Sequence, residues 1–116
     1  QRLILTMIRV TFHKKDHELV SFEMTGHAGF GEYGEDIVCA GVSALAITTV
    51  NSIEKLAGYQ PIVDVDEVEG GYLYFEVVRD VTKVQAQTTQ ILLNSLLLGL
   101  EGIQEEYPNY LTIQVD

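Results

Sequence analysis

Tryptophan is absent from the 116 residues, cysteine occurs once, and Lys plus Arg number 7 against 17 Asp plus Glu. Each shortage closes off a class of protein. A single cysteine excludes an internal disulfide framework, and any Cys-pair zinc or iron–sulfur site within one chain. The shortage of cations, which leaves a formal net charge of −10, argues against direct binding of nucleic acid, because a phosphate reader needs clustered Lys and Arg. Long apolar runs are also missing. Ile91–Leu100 is interrupted by Asn94, Ser95 and Gly99, well short of the ~20 apolar residues of a membrane helix. No basic region followed by an apolar stretch and a small-residue cleavage site opens the chain. The expectation is a cytoplasmic protein with a reduced thiol and no membrane partner. With 47% hydrophobic residues, residues 1–116 suffice for one domain with its own core.

What is present is a sequence of alternating and helical patterns. Ile8–His13 alternates apolar and polar residues, Lys14–His17 reads as a turn, and Leu19–Met24 alternates again with Val20, Phe22 and Met24 on one face. This is a first β-hairpin. Gln1–Thr6 precede Met7, a natural start; they are either foreign to the domain or a lengthening of the first strand. Between Gly26 and Asp36 four glycines fall within nine residues, a density that no regular element tolerates, so the segment reads as a mobile loop. Asp36 is a strong N-cap for a helix over Ile37–Leu56, with Gly58 as its stop. Ile62–Asp66 and Tyr72–Val77 form a second hairpin through Gly70-Gly71. Thr82 opens a long helix to about Glu106, which Pro108 stops, and Leu111–Val115 is a last strand. The order ββαββαβ predicts an α+β domain with two helices packed on a mainly antiparallel sheet. The second helix carries Ile91, Leu92, Leu93, Leu96, Leu97, Leu98, Leu100 and Ile103, more than one apolar stripe. A helix on one sheet needs only one, so a homodimer burying the extra face is expected; the alternative is cover from within the chain.

The only cysteine, one of three histidines and five of ten glycines converge on residues 26–43. With Asp36 as N-cap, Cys39 becomes the third helical residue, where unpaired N–H groups and the macrodipole favour a thiolate. His27 stands twelve residues earlier, where the second strand enters the loop. A glycine-rich loop can fold back and bring the two together as a nucleophile–base pair. Asp36 suits either orientation of the imidazole or capping alone, and Ser43 lies one turn beyond Cys39. The plainer reading is that a free cysteine in an Ala/Val-rich helix packs as a small apolar group. His13 and His17 read as solvated. Gly29-Phe30-Gly31-Glu32-Tyr33-Gly34 spells a dinucleotide fingerprint, but Glu35 and Asp36 separate it from the helix and Glu32 lies inside, so carboxylates occupy the phosphate position. Nucleotide binding is rejected. Asp64, Asp66, Glu67 and Glu69 read as a solvated strand edge. No metal and no cofactor is expected.

Gly26-His27, the glycine-rich loop to Glu35, Asp36-Ile37-Val38-Cys39-Ala40 and Val42-Ser43 together resemble the ribosomal-processing cysteine protease family (Prp), from Met7 onward. The resemblance implies a thiol protease acting in ribosome biogenesis, with Cys39 as nucleophile and His27 as general base. Gly26, Asp36 and Ser43 would support the site. Ala28, Gly29, Phe30, Gly31, Glu32, Tyr33, Gly34 and Glu35 would form a gating loop. It implies a homodimer, and as substrate the precursor of large-subunit ribosomal protein L twenty-seven, whose N-terminal extension is removed. Glu32, Glu35 and Asp36 suit its basic N-terminal segment, and Phe30 and Tyr33 suit aromatic residues at the cleavage site. The competing readings are a noncatalytic dimeric ribosome-associated module with a structural cysteine and, further behind, a redox sensor that needs a second thiol from another chain.

Overall fold

The computed structural model describes residues 7–26, 33–66 and 71–116. Strands β1 (Ile8–Lys15) and β2 (Glu18–Thr25) are followed by helix α1 (Tyr33–Ser52), which ends in a π-helical turn (Ile53–Ala57). Strands β3 (Ile62–Asp66) and β4 (Tyr72–Glu76), helix α2 (Lys83–Glu106) and strand β5 (Leu111–Val115) complete the order ββαββαβ. The sheet runs β3-β4-β2-β1-β5. Three neighbouring pairs are antiparallel and β1 with β5 is parallel, as the α+β reading expects.

Alternation builds the core. Ile8, Val10 and Phe12 of β1, Phe22 and Met24 of β2, and Leu73 and Phe75 of β4 are buried on the face under the helices. Phe12, Phe22 and Phe75 stand in one cross-strand row, with centroids 5.5 and 5.2 Å apart. That spacing adds aromatic packing to the area term. From α1 the stripe Val38, Val42, Ala46, Val50 and Ile53 enters the same core. Residues Ile37–Ala57 are long and apolar enough by composition to cross a membrane, but this stripe of fourth residues is that of a helix laid on a sheet. Helix α2 contributes Leu93, Leu96 and Leu100. Thr82 caps it: its side chain accepts from the Gln85 N–H while the Gln85 side chain accepts from the Thr82 N–H, a capping box. Gly58, at φ 81°, closes the π turn by donating to the Ile53 carbonyl.

Two details depart from the sequence reading. The first hairpin turns on Asp16 and His17 alone, both at positive φ (54° and 70°), so Lys14 and Lys15 belong to β1. The pairing also slips, with His13 opposite Ser21 but Lys14 opposite Leu19. The extra residue is Val20, a β-bulge. Because the bulge resets the alternation, Leu19 is the fully buried residue and Val20 stays half-buried; the expected face of Val20, Phe22 and Met24 is therefore Leu19, Phe22 and Met24. At the bulge the Leu19 backbone is served by a side chain. Gln90 of α2 accepts from the Leu19 N–H at 3.0 Å and donates to the Leu19 carbonyl at 2.7 Å.

Gln90→Ala strands both groups, and an unsatisfied buried backbone group costs about 1–3 kcal/mol. Urea unfolding should show that loss, with Gln90→Glu intermediate because a carboxylate accepts from the N–H but cannot donate to the carbonyl.

Candidate active site

Strand β2 ends beside β1, and its chain direction is set by Gly26. This residue has φ +83°, and a Cβ placed on it would sit 2.8 Å from the Met7 carbonyl oxygen. Only glycine meets both conditions, since a side chain is strained at positive φ and here would strike rigid backbone. The Gly26 N–H donates to the Gly71 carbonyl at 3.2 Å, just ahead of β4. The Gly26 carbonyl in turn faces α1 and accepts a 3.8 Å hydrogen bond from Cys39 Sγ. Cys39 is buried, with 5% of its surface exposed. Ser43 lies one turn on and is half-buried.

The structure brings Gly26 and Cys39 into contact although thirteen residues separate them, and Ser43 follows Cys39 by one turn of α1; the resemblance implies Gly26 and Ser43 as supporting residues. His27 follows Gly26 directly, so its backbone leaves from the carbonyl that the thiol contacts; the imidazole lies outside the described residues, as do Ala28, Gly29, Phe30, Gly31 and Glu32. Two backbone partners were not legible beforehand: the Met7 carbonyl that demands glycine at 26, and the Gly71 carbonyl that fixes its N–H. Gly71 gave a turn signal but none for this contact.

The start of α1 corrects an expectation. The helix begins at Tyr33, so Tyr33, Gly34 and Glu35 belong to its first turn rather than to a loop. Asp36 is not the N-cap. Acidic residues in a first helical turn are favoured by the macrodipole, and Glu35 and Asp36 allow the helix to grow back past the expected boundary. Cys39 consequently becomes the seventh helical residue rather than the third. The unpaired N–H groups and the dipole effect belong to the first turn, which weakens the expected helix-start activation of the thiol. Gly34, the last glycine of the fingerprint, lies inside the helix. Rejection of nucleotide binding rests instead on the acidic first turn and on a sheet that is not doubly wound.

The remaining candidates lie apart. His17 is exposed in the hairpin turn. His13 is less solvated than expected: its Nδ1 lies 3.2 Å from an Asp116 carboxylate oxygen and its Nε2 3.9 Å from Glu23. Among the described residues no three His, Cys, Asp or Glu converge as a metal site. A cavity of about 420 Å³ opens at the hairpin end of β2, between Lys15, Val20, Tyr59, Arg79 and Gln90. Another of about 510 Å³ lies between the helices along Ala44, Leu45, Leu92 and Ile103. Neither includes Cys39.

Comparison with known proteins decides the family. The family model described as Cysteine protease Prp matches residues 7–112. This chain belongs to the cysteine protease Prp family. The ribosomal processing cysteine protease Prp of Bacillus subtilis (strain 168) is 41% identical over 108 residues, which cover 92% of this chain and 96% of that protein. The Prp of Staphylococcus aureus (strain Mu50) is 42% identical over 84 residues, 72% of this chain and 74% of that one. In three dimensions the chain is similar to the crystal structure of SMU.848 from Streptococcus mutans, with a TM-score of 0.88, 39% identity, and coverage of 95% of this chain and 94% of that one. It is similar also to the essential Prp of S. aureus in complex with a substrate peptide (TM-score 0.82, 32% identity, 95% and 100% covered). The same S. aureus protease with a covalently linked product peptide gives a TM-score of 0.80 at 33% identity, with 95% and 100% covered.

Gly26→Ala should be destabilised by about 2 kcal/mol or more, because strain at positive φ and a backbone clash act together. Denaturant unfolding measures this, and a stability equal to that of the parent chain would contradict the assignment of Gly26 as a sterically required glycine.

Proposed function

We propose that this Prp family protease removes the N-terminal extension of the precursor of large-subunit ribosomal protein L twenty-seven, with Cys39 as nucleophile and His27 as general base. The observation that carries the reading is the contact between Cys39 Sγ and the Gly26 carbonyl at 3.8 Å. It sets the thiol at the point of the backbone from which His27 departs. A relative holding a covalently linked product peptide supports an acyl-enzyme route.

In that route the Cys39 thiol gives its proton to the His27 imidazole, and the thiolate attacks the scissile carbonyl carbon. The C–N bond breaks as the imidazolium protonates the leaving amine, and a thioester remains. His27 then takes a proton from water, whose oxygen displaces the thiol and releases the new carboxylate. Residues 28–32 act as the gate ahead of α1, with Gly26, Asp36 and Ser43 supporting the pair. A gate suits the burial of Cys39, since substrate must reach a thiol that is 5% exposed. The acidic chain suits a basic protein tail in the cytoplasm.

A homodimer is part of this reading. Leu92, Leu97 and Ile103 are half-buried within the chain, which reduces the expected extra face. What remains is a stripe at seven-residue spacing, Val84, Ile91 and Leu98, each 69–70% exposed. Such a stripe suits a helix pairing with its copy. Sedimentation should give twice the chain mass for the parent protein and a monomer for Ile91→Glu with Leu98→Glu; a monomeric parent would remove the dimer from the proposal.

The activity is tested with a peptide spanning the cleavage site. Cys39→Ala should lower turnover by roughly a thousandfold or more, and equal cleavage by both proteins would end the assignment of Cys39. Alkylation of Cys39 near neutral pH, with and without peptide, separates a nucleophile from a structural thiol. A nucleophile reacts in at least one of the two conditions, and a sealed thiol in neither.

A further inference from the structure

Among the described residues, β3 is an edge strand of the sheet. All five residues from Ile62 to Asp66 are exposed, Val65 to 53%, and among the described residues no strand pairs with its far side. Such an edge offers a row of N–H and C=O groups ready to receive an extended chain.

The two faces beside this edge differ. In the register Asp64 lies opposite Tyr74, and Tyr74 opposite Glu23, so the outward face reads carboxylate, phenol, carboxylate across three strands. The next row is Asp66, Tyr72 and Thr25. Tyr74 donates to a Glu76 carboxylate oxygen at 2.8 Å; that bond, with desolvation and the Glu76 charge, raises the Tyr74 phenol from its ordinary value. On the opposite face Val63 and Val65 stand beside Phe75 and Leu73. An added strand would therefore meet acid and aromatic groups with one set of alternate side chains, and a narrow apolar strip with the other.

That asymmetry selects the occupant. A second copy pairing antiparallel about Asp64 would set Asp64 against its own counterpart, and like charges directly opposite destabilise a sheet. A cationic strand meets the reverse situation. The edge also ends at the right place: Asp66 pairs with Tyr72, Gly71 before it accepts from Gly26, and Gly26 accepts from Cys39.

We propose that the outer edge of β3 receives a basic, extended segment of the substrate flanking the scissile bond, paired as a sixth strand with its cationic side chains over Asp64. This rests on the reading that the substrate is a ribosomal protein, because a protein built to lie against RNA phosphates carries Lys and Arg. Main-chain pairing supplies contact independent of sequence, and Asp64 supplies the preference for positive charge.

The experiment uses two peptides with the same cleavage site, one continuing into a Lys/Arg-rich segment and one ending soon after the site. Steady-state kinetics are measured for the parent protein, Asp64→Asn and Asp64→Lys, all at an exposed position where folding should be unaffected and is checked by thermal unfolding. The long peptide should have the lower KM with the parent protein. Asp64→Lys should raise that KM by about fivefold with kcat unchanged, Asp64→Asn should raise it less, and neither should alter the short peptide. With Cys39→Ala and saturating long peptide, amide exchange over 62–66 should slow. Cleavage of both peptides with equal KM, an Asp64→Lys effect shared by the short peptide, or unchanged exchange over 62–66 would overturn the docking edge while leaving the protease assignment standing. Failure of the parent protein to cleave either peptide would defeat the functional reading, and the edge proposal with it.

Discussion

A left-handed backbone at Gly26, pressed against the Met7 carbonyl, is the constraint on which the site depends. It lets β2 leave the sheet without displacing β1. It also directs one carbonyl at the thiol of α1 and one N–H at the carbonyl of Gly71. Three segments distant in sequence therefore meet at a residue with no side chain. The thiol is thus met by main chain, whose geometry is far stiffer than that of a long side chain.

The sheet divides labour between its faces and ends. One face is apolar and closed by two helices, with Phe12, Phe22 and Phe75 forming its middle row. The other carries Thr11, Glu23, Tyr72, Tyr74 and Glu76, all half-buried. Along the strands, the Gly26 end carries the thiol, and the hairpin end carries a bulge clamped by Gln90. Buried polar groups elsewhere are matched in the same economical way: the buried Thr89 hydroxyl reaches both the Gln85 carbonyl and the Tyr59 hydroxyl, so the helix face that leaves the apolar core has no unpaired hydroxyl at that point.

Local chemistry made some of this readable. Ile62–Asp66 and Leu111–Val115 have the same bounds in pattern and in structure, because alternation over five residues with turn residues on each side leaves little freedom. The start of α2 was legible from Thr82, since a hydroxyl three residues before a glutamine closes a capping box. The start of α1 was not: Glu35 and Asp36 are as comfortable in a first turn as Asp36 is at a cap, and sequence alone does not choose. Nor does a period of two reveal an inserted residue, so Val20 kept its place on paper while the bulge moved Leu19 into the core. Sheet order rests on contacts between distant segments and had no local signal. Of the site, the approach of the β2 end to α1 was legible from the glycine-rich loop; the carbonyls of Met7 and Gly71 were not, because a backbone group has no sequence identity.

The parallel pairing of β1 with β5 has a consequence for how this domain comes into being. Ile8, near the beginning of the described chain, takes its register from Leu111, so an inner strand lacks its neighbour until almost everything between has been synthesised. Closing so long a loop is entropically costly and slow relative to hairpin formation. On a ribosome, the β1–β2 hairpin and α1 emerge well before the strand that completes their sheet. The five-stranded sheet therefore closes late in synthesis, after both hairpins and both helices are out.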